Sequence, residues 1–305
     1  MDTSSQGKNA VIRLEGKEGG FPFISSKVYF TAQGVSYLQV PGVALIARPQ
    51  TELQGIYSFL EGFSNNLGFE KYGEDPDMLQ PGSALCKFAG QLCYASFGPR
   101  RTWNKDAARY FKNIMESGHG SVLEHASLSF LFYGISRSLT HELVRHRHFS
   151  FSQISQRYVS GKVLRFVERP EYQEDEELHE AFENRIEIAA AEYERTASRL
   201  LDMQQQGSAL LSGEMKTDLR KKVQQTARSL LPNETEAPIV VTGNVRAWRH
   251  FLEMRSGEHA EIEIRALAYR VYLCLYAVEP MLFEDYQVIT LPDGTYELKT
   301  ETAKV

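Results

Sequence analysis

Thirteen consecutive residues, Arg145-His146-Arg147-His148-Phe149-Ser150-Phe151-Ser152-Gln153-Ile154-Ser155-Gln156-Arg157, gather most of the groups in this chain that can hold an anion. Arg145, Arg147 and Arg157, followed by Lys162 and Arg165, place five cations in a stretch with no acid between Glu142 and Glu168, on a chain of formal net charge -5. A cationic island on an acidic protein points to a pocket for a small anionic ligand, whereas a nucleic-acid surface is more often a basic patch on a basic domain. The interleaved Ser and Gln add hydroxyl and amide groups that donate to phosphate oxygens or read a base edge.

Covalent and metal chemistry find no good candidates nearby. His141-Glu142-Leu143-Val144-Arg145-His146 comes close to a zinc-binding HExxH helix, but its imidazoles are five apart and point about 140° away from each other. No metal is expected. Glu142, Arg145 and His146 do share a side, so a carboxylate and a cation can meet one ligand there; a plain i,i+3 ion pair is the alternative. Ser150, Ser152 and Ser155 lie in no GxSxG elbow. Cys86, Cys93 and Cys274 form no CxxC, and free thiols are the expected state. Such a pattern suits chemistry delegated to a cofactor.

A second strip, Asn244-Val245-Arg246-Ala247-Trp248-Arg249-His250-Phe251-Leu252-Glu253-Met254-Arg255, is helical in period. Trp248, Phe251, Leu252 and Arg255 share one face, and Arg246, Arg249, His250 and Glu253 the opposite one. An arginine on the apolar side is costly unless it meets an anion or a carboxylate; a bound anion is one answer, and Glu261 or Glu263 is the alternative. Arg246 and Arg255 cannot easily reach one ligand from a single subunit, which a site shared between subunits would resolve.

These groups need elements to position them. Ser136 is expected to cap a helix running to about Arg147, which delivers the cationic segment at its end. Leu128, Phe130 and Phe132 alternate with Ser127, Ser129 and Leu131 as in a half-buried strand. Asn104 is a candidate N-cap for a helix to Ser117, with Ala107, Phe111 and Ile114 as its stripe and Gly118 at its stop. Val11–Leu14, Lys27–Thr31, Val43–Ala47, Val163–Val167 and Ile239–Val241 read as strands, and Gly68 to Gly82 as a loop. Asp175 to about Gln205 and Lys216 to Leu231 read as helices, and most of the chain from there to Tyr286 is helical. Cys86 and Cys93, seven apart, are expected to share a packed helix face. The mixture is α+β, a small antiparallel sheet flanked by long helices, with no GxGxxG or P-loop.

At 305 residues, 42% hydrophobic and 24% charged, the chain has the composition of a soluble globular protein. It has no apolar run of membrane-spanning length, and Met1-Asp2-Thr3-Ser4-Ser5-Gln6 lacks the features of a secretory signal. A cytoplasmic protein is expected.

The spacing R-H-R-x-x-S-x-x-x-x-S-x-R resembles the signature of the flavin-dependent thymidylate synthases, and the likeness runs from roughly residue 43 to 293. It implies a single catalytic domain over residues 42–305 behind an N-terminal extension, 1–41. It also implies a homotetramer that holds FAD at subunit interfaces and methylates dUMP to dTMP with 5,10-methylenetetrahydrofolate and NADPH. By the same resemblance Ser121, in Gly118-His119-Gly120-Ser121-Val122-Leu123-Glu124-His125, contacts FAD. So do Arg145, His146, Arg147, Gln153, Asn244, Val245, Arg246 and His250. The substrate dUMP falls to Glu142, Leu143, Val144 and Arg145 on one side, to Gln153, Ile154, Ser155, Gln156 and Arg157 on the other, and to Arg228, with Tyr158 and Lys221 in support. Arg255 is implied as the residue that activates the uracil. Glu142, an acid beside a dianion, calls for pairing with Arg145 or for protonation. The competing reading is a nucleotide- or nucleic-acid-binding protein that uses the Arg/His island without catalysis.

Overall fold

Leu128, Phe130 and Phe132 point to one face of a strand and are fully buried, and the principal core is built on that face. The computed structural model describes residues 12–16, 20–159, 163–207 and 216–302. The first part of the chain gives β1 (Phe23–Ile24), β2 (Val28–Phe30), β3 (Ser36–Leu38) and β4 (Gly42–Ala47), then α1 (Gln54–Glu61), α2 (Pro81–Cys93) and α3 (Ala107–Glu116). The middle gives β5 (Ser127–Tyr133), α4 (Arg137–Leu143), β6 (Ser150–Gln153), β7 (Phe166–Val167), α5 (Pro170–Gln173) and α6 (Glu176–Gln205). The last part gives α7 (Lys216–Ala227), β8 (Ile239–Asn244), α8 (Val245–Ser256), α9 (Ile262–Val278), β9 (Gln287–Thr290) and β10 (Tyr296–Lys299).

The main sheet is antiparallel throughout, in the order β1-β4-β5-β8-β6. Helices α8 and α9 supply Trp248, Phe251, Leu252, Ile264, Leu267 and Val271 to the core that the sheet shares. A three-stranded sheet, β2-β3-β7, packs Tyr37 and Phe166 against Phe182 and Ile186 of α6. The α+β class is as expected. Residues 23–38 are tied to the rest by hydrogen-bonded strands, β1 to β4 and β3 to β7.

Local chemistry explains where elements start and stop. Ser136 accepts from the Leu139 amide and Asp175 from the Leu178 amide, each satisfying a free N–H of a helix start. Asn104 does not cap α3. It opens a short 3₁₀ turn, and its side-chain oxygen accepts from the buried Lys87 ammonium at 2.8 Å, a need that outweighs capping. The stripe Ala107 and Phe111 is buried as expected, and Gly118 ends the segment with φ +69°. The stretch from Gly68 to Gly82 is not all loop: it holds a 3₁₀ segment, Phe69–Glu74, and the start of α2.

Several boundaries move. Cys86 is buried but Cys93 is exposed, because Cys93 is the last residue of α2, where the helix leaves the core. The strand expected over Val163–Val167 is only Phe166–Val167, Ile12–Leu14 forms none, and Val11 and Lys162 lie outside the described residues. The helix expected to Leu231 becomes a 3₁₀ turn, Arg228–Leu230, ahead of Pro232. The strand expected over Ile239–Val241 continues to Asn244, where Asn244 caps α8.

One residue on the polar face of α8 is turned into the protein. Arg249 is 1% exposed. It donates to Asp285 through two nitrogens at 2.7 and 2.6 Å, and to the carbonyls of Leu282 and Thr302. Burial works against its charge, and Asp285 holds it in the cationic form. Thr300 and Thr302 donate their hydroxyls to the same carboxylate, so the segment after β10 is bonded across the back of α8. Replacing Arg249 with Ala is expected to cost up to about 3–5 kcal/mol, since it removes a buried guanidinium with its hydrogen bonds and leaves the half-buried Asp285 without its cation. The check is the urea midpoint of unfolding; a midpoint unchanged from the parent would contradict the assignment.

Candidate active site

The two motifs, about a hundred residues apart in sequence, meet because β8 lies between β5 and β6. Strand β6 begins right after the Arg145–Phe149 turn, pairing Ser150 with Thr242, and β8 runs straight into α8 at Asn244. Helix α4 stops at Leu143 rather than at Arg147. Its end tightens into i→i−3 turns, with the amides of Arg145 and His146 donating to Glu142 and Leu143. The tighter winding turns His146 and Phe149 inward while Arg145 and Arg147 stay exposed, and Phe149 packs on Trp248 with ring centroids 4.3 Å apart.

The start of α4 is held by a carboxylate. Glu263, 2% exposed on α9, accepts from the Ser136 amide at 2.6 Å and its hydroxyl at 2.7 Å. Burial pushes the Glu263 carboxyl up to about 7, against the pull of the Ser136 hydrogen bonds. In the loop before α4, Glu236 accepts from the Gly134 amide and pairs with Arg165 through both oxygens.

Between the two motifs lies a cleft of about 700 Å³. Arg145, His146, Arg147 and Phe149 form one wall, and Asn244, Arg246 and His250 the other, with Glu124 at its margin. Asn244 spends its side-chain oxygen capping α8, by accepting from the Ala247 amide at 2.9 Å, which leaves its NH₂ to donate. Arg246 pairs with Glu124 at 2.6 Å. His146 is held well below the usual histidine value, at about 4, by burial and by the nearby charges of Arg255 and His250.

Arg255 bonds to the His146 wall of this cleft from the junction of α8 with α4. It donates to the Glu142 carboxylate at 2.7 Å, the Glu142 carbonyl at 3.0 Å and His146 Nε2 at 3.0 Å. Its partner is therefore Glu142, not Glu261 or Glu263. Glu261 is taken by Arg169 and by the start of α9, and Glu263 by Ser136. The question of Glu142 is answered in the same way: it pairs with Arg255 rather than Arg145.

The remaining residues of interest fall in separate places. Leu143 and Val245 have side chains wholly in the core, so any ligand contact is left to their main chain. Val144 is exposed. Ser121 lines a neighbouring recess of about 460 Å³ with His119, and Arg246 borders both spaces. Gln153, at the end of β6, does not line the main cleft; Ile154 and Gln156 line a third recess, of about 400 Å³, with Arg165 and Glu236. Ser155 Oγ accepts from the Arg157 amide at 3.3 Å, a turn-forming bond that suits no nucleophile. Arg157 Nε is buried with no partner among the described residues. Lys221 of α7 lies 4.9 Å from the Tyr158 ring centre, so α7 borders the Ser155–Tyr158 turn, and Arg228 lies in the 3₁₀ turn just after α7.

The family model described as thymidylate synthase complementing protein matches residues 77–281, which hold every one of these groups. The chain belongs to this family. It is 47% identical over 215 residues to the flavin-dependent thymidylate synthase of Mycobacterium tuberculosis, covering 70% of this chain and 83% of that one. It is 46% identical over 215 residues to the protein of the same name from Mycolicibacterium gilvum. Among solved structures, a UMP/dUMP methylase from Streptomyces cacaoi, bound with 5-Br dUMP, shares the fold with a TM-score of 0.56 at 20% identity. That alignment covers 81% of this chain and 94% of the methylase.

Two ion-pair partners carry no signal in the sequence. Glu124 stands inside a motif that was singled out, but its pairing with Arg246, 122 residues on, has no local signal. Asp285 lies beyond both motifs, and only the cost of burying Arg249 could have called for it.

Glu263 gives a pH test of how α4 is anchored. Its folded-state value, about 7, lies above the ordinary 4.5, so its contribution to stability is complete below about 4.5 and is lost as pH rises towards 7. Glu263→Gln cannot titrate. Its unfolding midpoint in urea, taken relative to the parent, should therefore rise between pH 5 and 8. A constant difference across that range would refute the assignment.

Proposed function

We propose that this protein methylates dUMP to dTMP, taking the carbon from 5,10-methylenetetrahydrofolate and the reducing equivalents from NADPH by way of FAD. The catalytic part is residues 42–305, and the 1–41 extension adds β1 to its main sheet and pairs β3 with β7. The observation that carries this reading is the single cleft formed by Arg145, His146 and Arg147 on one side and Asn244, Arg246 and His250 on the other. Family membership supports it.

The cleft suits a flavin. It joins aromatic walls, Phe149, His146 and His250, to the cations Arg145, Arg147 and Arg246, which match an apolar ring system carrying a pyrophosphate. FAD, when bound, supplies the redox chemistry that no side chain in the chain can perform. The protein's own part is binding, orientation and electrostatics. Arg145, Arg147, Arg246 and the Asn244 amide hold the cofactor, with His146 and His250 against its ring and Phe149 helping to keep water out.

For dUMP, Arg157 and Arg228 meet the phosphate dianion; Arg157 Nε has no partner among the described residues. Ser155, Gln156 and the main chain of Leu143, Val144 and Ile154 complete the nucleotide's surroundings. Arg255 activates the uracil. Of its five N–H groups three are spent on Glu142 and His146, which fixes the guanidinium plane and leaves two to donate. A fixed cation beside the ring stabilises the charge that develops as N3 ionises, and so makes C5 more nucleophilic. Because Glu142 is neutralised by Arg255, it does not repel the dianion.

The working unit is a homotetramer in the cytoplasm. In support, Gln153, assigned to FAD, lines neither the cleft of Arg145 nor the recess of Ser121 among the described residues, which suits a site completed by partner copies. No nucleic acid is involved.

Arg255→Ala separates the roles. It should retain FAD through gel filtration yet lose about 10²–10³-fold or more in dTMP formation. Turnover at the parental rate would remove Arg255 from the mechanism, and failure of the parent protein to hold FAD would remove the cofactor.

A further inference from the structure

The hydrogen bond between Arg255 and His146 has a chemical consequence for the cleft wall. Arg255 Nε lies 3.0 Å from His146 Nε2. A guanidinium has donors and no acceptor, and it stays protonated at any pH at which a protein folds. His146 Nε2 must therefore offer its lone pair, which makes the ring neutral and puts its proton on Nδ1. Packing holds the ring in place: it sits edge-on against Phe251, with centroids 5.3 Å apart, and tilted on Phe149 at 5.7 Å.

His146 Nδ1 makes no hydrogen bond to another described residue, and it is not among the fully buried polar atoms that lack a partner. The residue is 9% exposed and lines the cleft. Its unused N–H thus opens to the space assigned to the ligand. The groups around it agree with a neutral ring. Arg255 lies on one side and His250 on another, with centroids 5.7 Å apart, and both disfavour a second positive charge. Glu142 is the nearest acid to this arrangement, and Arg255 already neutralises it. Glu253 pairs with His250 at 4.0 Å.

We propose that Arg255, itself oriented by Glu142, locks His146 as the neutral Nδ1–H imidazole, so that the cleft wall presents a hydrogen-bond donor to an acceptor atom of the bound flavin ring. The claim rests on the reading of the cleft as the flavin site. Arg255 then serves both halves of the centre: it faces the uracil with its free N–H groups and sets the donor character of the residue against the cofactor. Glu142 is a positioning residue, acting through Arg255.

The test has two arms. In the first, the flavin-free full-length protein is labelled with ¹⁵N and ¹³C at histidine, and His146→Gln identifies the signal among the eight histidines. The ring shifts should report the Nδ1–H tautomer from pH 5 to 8, with no titration in that range. Arg255→Met should release the ring to a mixture of tautomers. Glu142→Gln, whose amide oxygen still accepts from Arg255, should keep the lock, and Glu142→Leu should loosen it. A cationic or Nε2–H ring in the parent protein would overturn the lock, as would a signal indifferent to Arg255→Met. In the second arm, FAD affinity is measured by titration. His146→Leu should weaken binding about tenfold, the loss of one hydrogen bond, and His146→Asn, which still offers an N–H, should recover most of it. Equal affinity for the Leu variant would overturn the donor role. If the parent fails to bind FAD while the first arm succeeds, the flavin reading falls and the Arg255–His146 lock stands.

Discussion

An arginine taken out of water must be met by a carboxylate or a full set of acceptors, and helix α8 takes in two. Arg249 is answered by Asp285 and the segment after β10, Arg255 by Glu142 and His146 of α4 and the turn that follows it. These two demands fix α8 in rotation and translation. The first pins its back to the end of the chain, and the second pins its C-terminal turn to α4. The third arginine, Arg246, is left at the cleft, where it pairs with Glu124. Buried carboxylates do the matching work at chain turns: Glu263 at the start of α4, Glu279 at the start of α2, and Glu236 at the Gly134 amide.

The site follows from that framework. Strand β8 brings the Asn244–Arg255 strip beside the Arg145–Arg157 segment, and the apolar pairing of Phe149 with Trp248 seals the space beneath them. What remains open is a cationic cleft with aromatic walls, and at its His146 wall a guanidinium held flat by a carboxylate and an imidazole. Anion binding and redox chemistry are thus divided between side chains and cofactor. The protein has no activated nucleophile of its own among the described residues: Cys86 and Cys274 have thiols pushed up to about 12 by burial, and Ser155 is tied into its turn.

The sequence was most readable where a pattern is local. Phe130 and Phe132 betray their strand by alternation, and Ser136 and Asp175 their helices by capping. It was least readable where partners are distant. Arg255 calls for an acid, but nothing in the spacing selects Glu142, 113 residues earlier, over the closer Glu261 and Glu263. Asn104 looks like a cap until Lys87 is folded beside it and competes for its oxygen. The end of α4 moved for a similar reason: His146 and Phe149 have a core to fill, which helix period alone does not announce. Family resemblance supplied roles for Ser121, Gln153 and Arg228 that the folded chain by itself does not bring to one cleft.

The central claim is a reaction, and turnover tests it most directly. Purified protein is incubated with dUMP, 5,10-methylenetetrahydrofolate, NADPH and FAD, and the nucleotides are separated and quantified against omission of each component. The complete mixture should yield dTMP, with none formed without FAD or without the folate. No dTMP in the complete mixture, or the same yield when FAD is left out of a flavin-free preparation, would contradict it.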